Sequence, residues 1–265
     1  MAACAIHISD LHCGVHGQAD VNDALVATCL ELTPSLVIAS GDLANRGRPA
    51  ELEEAKAVLD RLAAPLLAVP GNHDIPYTVP ARFTRPWRAF EAVFGTTRPV
   101  LTLDGVVACG LNSARPWRHQ GGRLNPHSLA HAAAVLRDAP AGALRIVVLH
   151  HHLAGAPWRA SRKFPLADRD AALEALSAAG ADVIVGGHIH QSSVVERHEF
   201  SALAGAVRSP VVLATAPGFN RPRPRRAGEA QGLHVIRWNE GELSIETRIW
   251  DGASFVPTGR RLFSR

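Results

Sequence analysis

Short apolar runs recur along the first two-thirds of the chain, each bounded by polar or turn-forming residues: ACAIHIS, LVIAS, LLAV, IVVLH and DVIVGG. Compact runs rich in β-branched and leucine side chains predict strands. Between them, NDALVATCLEL, PAELEEAKAVLDRLA and DRDAALEALSAAG repeat their apolar residues at intervals of three and four, the period of amphipathic helices. In NPHSLAHAAAVLRD, Asn125 can cap and Pro126 can open the first turn, which adds one more helix. After His190 strand signals dominate, in SSVVERHEF, AVRSPVVLAT, GLHVIRW and ELSIETRIW. This alternation predicts an α/β fold with two mixed sheets packed on each other and helices outside. The expected organisation is one domain over residues 1–265, with a motif-bearing part to residue 190 and a strand-rich part, 191–265, completing the second sheet. RPRPRRAGEA, residues 221–230, has a proline spacing that no helix interior accepts, so it is expected to form an exposed loop.

Five polar clusters interrupt this pattern at, or just beyond, the C-terminal ends of predicted strands, where open α/β sheets gather ligand-binding groups. They are SDLHCG with Asp10 and His12, SGDLANRG with Asp42, GNHD with Asn72, His73 and Asp74, HHH at His150 to His152, and GGHIH with His188 and His190. Each alone is a weak signal, but together they place two aspartates, an asparagine and at least four histidines after apolar strands. Carboxylate, amide oxygen and neutral imidazole form a donor set suited to Mn, Fe or Zn, without the thiolates of a structural zinc site. The set is too large for one tetrahedral ion. It makes sense for two ions sharing one ligand, and Asp42, a lone carboxylate between two ligand-bearing loops, is the natural bridge. Two metals roughly 3.5–4 Å apart hold a water between them, lower its pKa toward about 7 and stabilise both oxygens of an in-line displacement at phosphorus. The expected reaction is therefore hydrolysis of a phosphate ester. A histidine beside the site that is not itself a ligand could protonate the leaving group, an effect on the order of 10²–10⁴ in rate.

Composition narrows the setting. The four cysteines, Cys4, Cys13, Cys29 and Cys109, show no CxxC spacing and read as reduced thiols, with Cys13 a small apolar filler beside His12. No run is long enough to span a membrane, and MAACAIHISD lacks the pattern of a signal peptide, so a cytoplasmic protein without a membrane partner is expected. The net charge of +4 hides an asymmetry: of 28 basic residues only Lys56 and Lys163 are lysines. Arginine suits bidentate recognition of phosphate, although a GC-rich coding bias yields the same excess. Arginines cluster in the loops that follow the polar motifs: Arg46 and Arg48; Arg82, Arg85 and Arg88; Arg115, Arg118 and Arg123; Arg159 and Arg162. Trp87, Trp117 and Trp158 share these segments and could stack a nucleobase or simply anchor long loops.

The five motifs resemble those of the calcineurin-like metallophosphoesterase superfamily, whose pattern is DxH, GD, GNH(D/E), a strand-end H and GHxH in that order. Here they read Asp10-Leu11-His12, Gly41-Asp42, Gly71-Asn72-His73-Asp74, His150 and Gly187-His188-Ile189-His190. HISDLH, VPGNHD and VLHH look most like the class III cyclic-nucleotide phosphodiesterase branch, as does LNSARPWRHQGGRLNPHSLAHAAAVL. The resemblance implies a four-layer α-β-β-α sandwich and two divalent metal ions. One ion would be held by Asp10, His12, Asp42 and His190, the other by Asp42, Asn72, His150 and His188. It further implies that His73 is catalytic beside the leaving group and that Asp74 orients it through a hydrogen bond. Relatives usually read HHP where this chain reads His150-His151-His152-Leu153, so His151 stands as the alternative ligand by one register.

The expected substrate is a small phosphodiester, with a cyclic nucleotide such as cAMP in view. A phosphomonoesterase, a nuclease and a non-catalytic scaffold are the alternatives. A nuclease calls for a continuous basic face, against which the modest net charge weighs, and a scaffold calls for a missing ligand, of which there is none. The C-terminal strands suit closure of the second sheet, cover over the site or a homodimer edge.

Overall fold

Parallel strands can be joined only by crossovers long enough to hold a helix, and the helices and strands of this chain alternate accordingly. The computed structural model describes residues 3–15, 18–154, 163–196, 210–220 and 229–265. The first half runs β1 (Ala3–Ile8), α1 (Ala19–Leu32), β2 (Leu36–Ala39), α2 (Pro49–Asp60), β3 (Leu66–Ala68), α3 (Ala81–Thr84), α4 (Arg88–Phe94), β4 (Val100–Leu103), β5 (Val106–Gly110) and β6 (Gly122–Arg123). The second half runs α5 (Pro126–Arg137), β7 (Leu144–Val148), β8 (Leu166–Ala167), α6 (Arg169–Ala178), β9 (Val183–Gly186), β10 (Ser193–Glu196), β11 (Val212–Thr215), β12 (Gly232–Trp238), β13 (Glu242–Trp250) and β14 (Phe255–Ser264).

Two six-stranded sheets result, ordered β14-β13-β12-β1-β2-β3 and β10-β11-β9-β7-β5-β4, with β6 and β8 pairing separately. In the first sheet β1, β2 and β3 are parallel. In the second, β5, β7, β9 and β11 are parallel. Antiparallel strands flank both parallel cores. The inner faces meet in one apolar layer, in which Ile38, Leu67, Ile236 and Ile245 of the first sheet pack against Ala108, Ile146, Val148 and Val185 of the second. Outside the first sheet, α1, α2 and α4 bury Leu25, Leu52 and Phe90. Outside the second, α5 and α6 bury Ala132, Leu136 and Leu176. The layers are thus α-β-β-α, as the sequence led us to expect.

The predicted strands and helices all form, and Asn125 caps α5 by accepting from Ser128 N at 2.8 Å. Seven elements escaped the pattern, among them the two-residue strands β6 and β8. The β4–β5 hairpin is short and turns at Asp104-Gly105, and α3 and α4 are too brief to show a period. Strand β14 is exposed over Val256–Leu262 at the sheet edge, so no hydrophobic alternation marks it. Residues 197–200 of SSVVERHEF, 206–209 of AVRSPVVLAT, most of the 221–230 arginine segment, and Trp158, Arg159 and Arg162 lie outside the described residues. The four cysteines are unpaired and buried, and burial pushes the Cys13 thiol up to about 12, so it is protonated and inert.

His7 and His234 face each other across the β1–β12 ladder, both fully buried, with ring centroids 5.7 Å apart. Each Nε2 meets one hydroxyl at 2.9 Å, His7 at Ser40 and His234 at Ser192, while both Nδ1 atoms lack a hydrogen-bond partner among the described residues. Burial pushes His7 well below the ordinary imidazole range and His234 down to about 3. Both rings are neutral in the fold, whereas the unfolded chain binds protons below pH about 6.5. Stability is therefore full above that pH and falls as pH drops toward the folded value of about 3. Each ring contributes up to about 1.4 kcal/mol per pH unit inside that window. Denaturant unfolding at pH 7 and pH 5 should show a smaller loss for His234→Gln than for the parent; equal losses would contradict this account.

Candidate metal centre

The C-terminal ends of β1, β2, β3, β7 and β9 are followed by the five polar motifs, and the parallel pairing within each sheet brings these ends to one edge. The chain must then turn sharply while aiming side chains inward. Asp10, His12, Asp42, His188 and His190 all take left-handed backbone, with φ of 58°, 49°, 52°, 75° and 56°. A non-glycine residue in this region costs about 1–3 kcal/mol and persists only where its surroundings hold it. Here neighbouring loops do so: Asp10 N donates to Gly41 O and His12 N to Asp42 O, both at 2.9 Å, and His188 N donates to Asp10 Oδ2 at 2.9 Å. Glycine is required at Gly41 and Gly71 because their backbones touch, a Cβ on Gly41 coming within 2.7 Å of Gly71 N.

Two nests of donors form. In the first, Asp10 Oδ1 lies 2.9 Å from His190 Nε2 and 3.8 Å from His12 Nε2, and the two imidazole nitrogens are 3.4 Å apart. In the second, His150 Nε2 lies 3.2 Å from Asn72 Oδ1, 3.2 Å from His188 Nδ1 and 3.3 Å from Asp42 Oδ2. Asp42 Oδ2 is also 3.9 Å from His12 Nε2, so this one oxygen stands between the nests. Its other oxygen, Oδ1, accepts from His73 N at 2.7 Å. All seven side chains are buried, none above 5% exposure. The structure thus brings together Asp10, His12, Asp42, Asn72, His150, His188 and His190.

Of the two adjacent histidines, His150 converges on the nest. Its Nδ1 donates to Ser40 O at 2.9 Å, which leaves Nε2 as the nitrogen turned to the nest. The His151 ring turns to Ser113 instead, Nδ1 to Oγ at 2.8 Å, and packs against Gly122. Ser113 belongs to the LNS segment and Gly122 to the GGR segment noted in the sequence, so those residues seat the ring beside the nest.

The expected hydrogen bond from Asp74 to His73 does not form among the described residues. The His73 ring is half-buried, its centroid 4.7 Å from that of His12. Asp74 makes no hydrogen bond to it among the described residues: Oδ1 accepts from Ala44 N and Oδ2 from Gly71 N, both at 2.7 Å. What holds the imidazole is Asn45 O, 2.8 Å from Nδ1, with the Tyr77 hydroxyl 2.9 Å from the same atom. Asp74 therefore acts on the ring only through the backbone, by pinning the 43–45 loop to Gly71. A carboxylate is short enough to reach both amides, whereas a direct bond to the next residue's ring would abandon them. Tyr77 was not singled out in the sequence; its place four residues after His73 in an exposed loop carries no pattern.

The electrostatics follow from crowding. Burial would raise Asp42, but His150 and His73 hold it well below the usual carboxylate range. Burial likewise opposes Asp10, which His190 keeps ionised. Burial alone would depress His150, yet Asp42 outweighs it and holds the imidazole up at about 9. His12, with weaker compensation, is pushed by burial down to about 3. Asp74 is pushed up to about 6 by burial and by Asp42. Asp10 Oδ1 and Asp42 Oδ2 have no aligned hydrogen-bond donor among the described residues. Each nest also supplies carboxylate and imidazole atoms within 4.8 Å of one another. Buried, ionised oxygens crowded among imidazoles, of which burial keeps His12 and His188 neutral, fit divalent cations of the Mn, Fe or Zn type.

A family model described as calcineurin-like phosphoesterase matches residues 5–192. The chain is 41% identical over 78 residues to a glycerophosphodiester phosphodiesterase of Enterobacter lignolyticus, covering 26% of this chain and 28% of that protein. It is 26% identical over 243 residues to a cAMP/cGMP dual specificity phosphodiesterase of Mycobacterium tuberculosis, covering 86% of this chain and 71% of that one. A purple acid phosphatase from yellow lupin seeds shares the fold at a TM-score of 0.72 and 11% identity, over 100% of this chain and 54% of that chain. The chain belongs to the calcineurin-like phosphoesterase family.

Cations that bind only the folded state stabilise it by about 2.7 kcal/mol when present at 100 times their dissociation constant. Chelation should therefore lower the melting temperature by several degrees, and added Mn²⁺ should restore it. Asp42→Asn should abolish that restoration in a thermal scan; a full Mn²⁺-dependent rise in this variant would remove Asp42 from the metal centre.

Proposed function

We propose that this calcineurin-like phosphoesterase is a dinuclear metal-dependent phosphodiesterase acting on a small substrate, with a cyclic nucleotide such as cAMP the leading candidate. The observation that carries the reading is Asp42 Oδ2, a buried oxygen set between two nests of O/N donors with half-buried His73 alongside. Asp10, His12, Asp42 and His190 would hold one cation, and Asp42, Asn72, His150 and His188 the other. When bound, two such ions supply an activated water and stabilise charge on the attacking and leaving oxygens.

The chain's own residues do the rest. The Ser40 carbonyl accepts from His150 Nδ1 and fixes the tautomer that presents Nε2. The Asn45 carbonyl does the same for His73: its Nδ1 hydrogen is taken, so Nε2 is the atom left to meet the substrate. A proton on Nε2 can pass to the leaving alkoxide, with Tyr77 steadying the ring from the solvent side. His73 is the most exposed member of the group, as a residue meeting a departing alcohol should be, whereas the seven ligand candidates are closed off from water. The cyclic-nucleotide candidate draws support from the name of the M. tuberculosis relative, which aligns with 86% of this chain.

Mn²⁺-stimulated release of p-nitrophenol from bis(p-nitrophenyl) phosphate is expected, and Asp42→Ala should lose it; inactivity with Mn²⁺, Fe²⁺, Co²⁺ and Zn²⁺ alike would overturn the reading. His73→Ala should lower kcat by about 10²–10⁴ while metal content, measured by mass spectrometry, is largely kept. Equal loss of metal and turnover would make His73 a ligand instead. Asn72→Ala should reduce the bound metal from two ions toward one, and unchanged stoichiometry would contradict its place in the second nest.

A further inference from the structure

Beside His73 lies an open groove of about 1160 Å³ whose walls carry Arg46, Arg48, Arg85 and Arg88. Tyr77 connects it to the centre, lining the groove while its hydroxyl sits 2.9 Å from His73 Nδ1. Four guanidinium groups face a single lining carboxylate, Glu53. The nearby Glu51 cannot neutralise them: it is buried, and its Oε2 accepts from the amides of Arg46 and Arg48 at 2.7 and 3.2 Å. Arg48 Nε stands 3.9 Å from Glu51 Oε1, but no ion pair with a carboxylate forms at Arg46, Arg85 or Arg88 among the described residues. Arg82 lies over the Tyr77 ring at 6.0 Å and spends its Nε on Pro116 O at 2.7 Å, so it braces the groove mouth. Between the arginines, α3 and α4 contribute an apolar floor that includes Ala89 and Val93.

Unpaired guanidinium groups gathered around a concavity repel one another, and a dianion that each can grip with two parallel N–H bonds relieves this. A neutral alcohol arm would offer Arg46, Arg85 and Arg88 no anionic partner. Building on the phosphodiesterase reading but not on its cyclic-nucleotide candidate, since cAMP carries a single phosphate, we propose that this groove receives a second, terminal phosphate carried by the substrate's leaving arm, so that the preferred substrate is a phosphodiester bearing a further phosphate group. The arm would leave the metal centre past His73 and Tyr77, and the terminal phosphate would settle among Arg46, Arg85 and Arg88. Shape and charge favour a small ligand over a polynucleotide, because the arginines surround one concavity that also holds Glu53 rather than forming a stripe.

The test compares thymidine 5′-(methylphosphonate) with and without a 3′-phosphate, using the metal-loaded chain and following release of the nucleoside by chromatography, because in these esters the nucleoside is the only alcohol that can leave. The 3′-phosphorylated ester should show a kcat/KM higher by roughly tenfold or more, carried mainly by a lower KM. Arg85→Ala/Arg88→Ala should bring the ratio of the two esters close to one, while Arg85→Lys/Arg88→Lys should retain part of it. Equal kcat/KM for the two esters in the unaltered protein, or an unchanged ratio in the double alanine variant, would overturn the proposal. If no diester is hydrolysed, it is the phosphodiesterase reading that fails. Calorimetric titration with thymidine 3′,5′-bisphosphate against thymidine 5′-phosphate then decides the groove by itself: tighter binding of the bisphosphate supports it, and equal Kd values reject it.

Discussion

Asp10 and Asp42 are ionised carboxylates with no exposed surface, and both come within 4 Å of a single nitrogen, His12 Nε2. Burying two like charges so close together is prohibitive unless cationic or donor groups surround them. The surroundings here are imidazoles whose nitrogens cannot all be protonated, since burial keeps His12 and His188 neutral. His150, by contrast, is pushed toward the cationic form. The remaining deficit of positive charge is what makes the cluster a cation site, and nearly every local oddity of the fold serves to keep those groups in place.

The scaffold meets this demand by concentrating strain at strand ends. Among the described residues, eight that are not glycine have positive φ, and five of them are ligand candidates. Left-handed backbone at Asp10, His12, Asp42, His188 and His190 reverses the chain within a residue or two, which lets the side chains converge from both sheets. The cost is met by the apolar layer between the sheets, where Ile38, Val148 and Val185 have no exposure. Hydrogen bonds across loops lock the result, for example from Phe219 N to Ser9 O at 2.8 Å, which ties the segment after β11 to the first motif.

Around this rigid centre the mouth is built from different material. His73 is held by a carbonyl and a phenol rather than by the carboxylate next to it in sequence. Tyr77 then passes the site's edge on to an arginine-lined groove formed by the 45–49 loop, α3 and α4. Glu51 has a structural part here, since its buried carboxylate gathers the amides of Arg46 and Arg48 and so fixes the loop that carries them. The donor nests and the arginine-lined groove are thus separate sets of residues, joined at one imidazole.

What was legible in the sequence was whatever leaves a local trace. Alternating apolar runs marked the parallel strands and their crossover helices, and ligand types that no core would accept unpaired marked the strand ends. Asn125 was legible as a cap because capping depends on the next three residues only. The β4–β5 hairpin and β14 were not, because their pairing comes from neighbouring strands and β14 is exposed on both faces from Val256 to Leu262. Nor was the partner of His73: Asp74 is its neighbour in the chain, but the fold places Ala44 N and Gly71 N within its reach and brings Asn45 O to the ring. The choice between His150 and His151 likewise needed the Ser113 hydroxyl, 38 residues away in sequence. Residue chemistry and period determined which groups the protein would collect at one edge of its sheets. Distances between loops that meet only after both sheets have packed decided which of those groups face the metal centre and which hold them there.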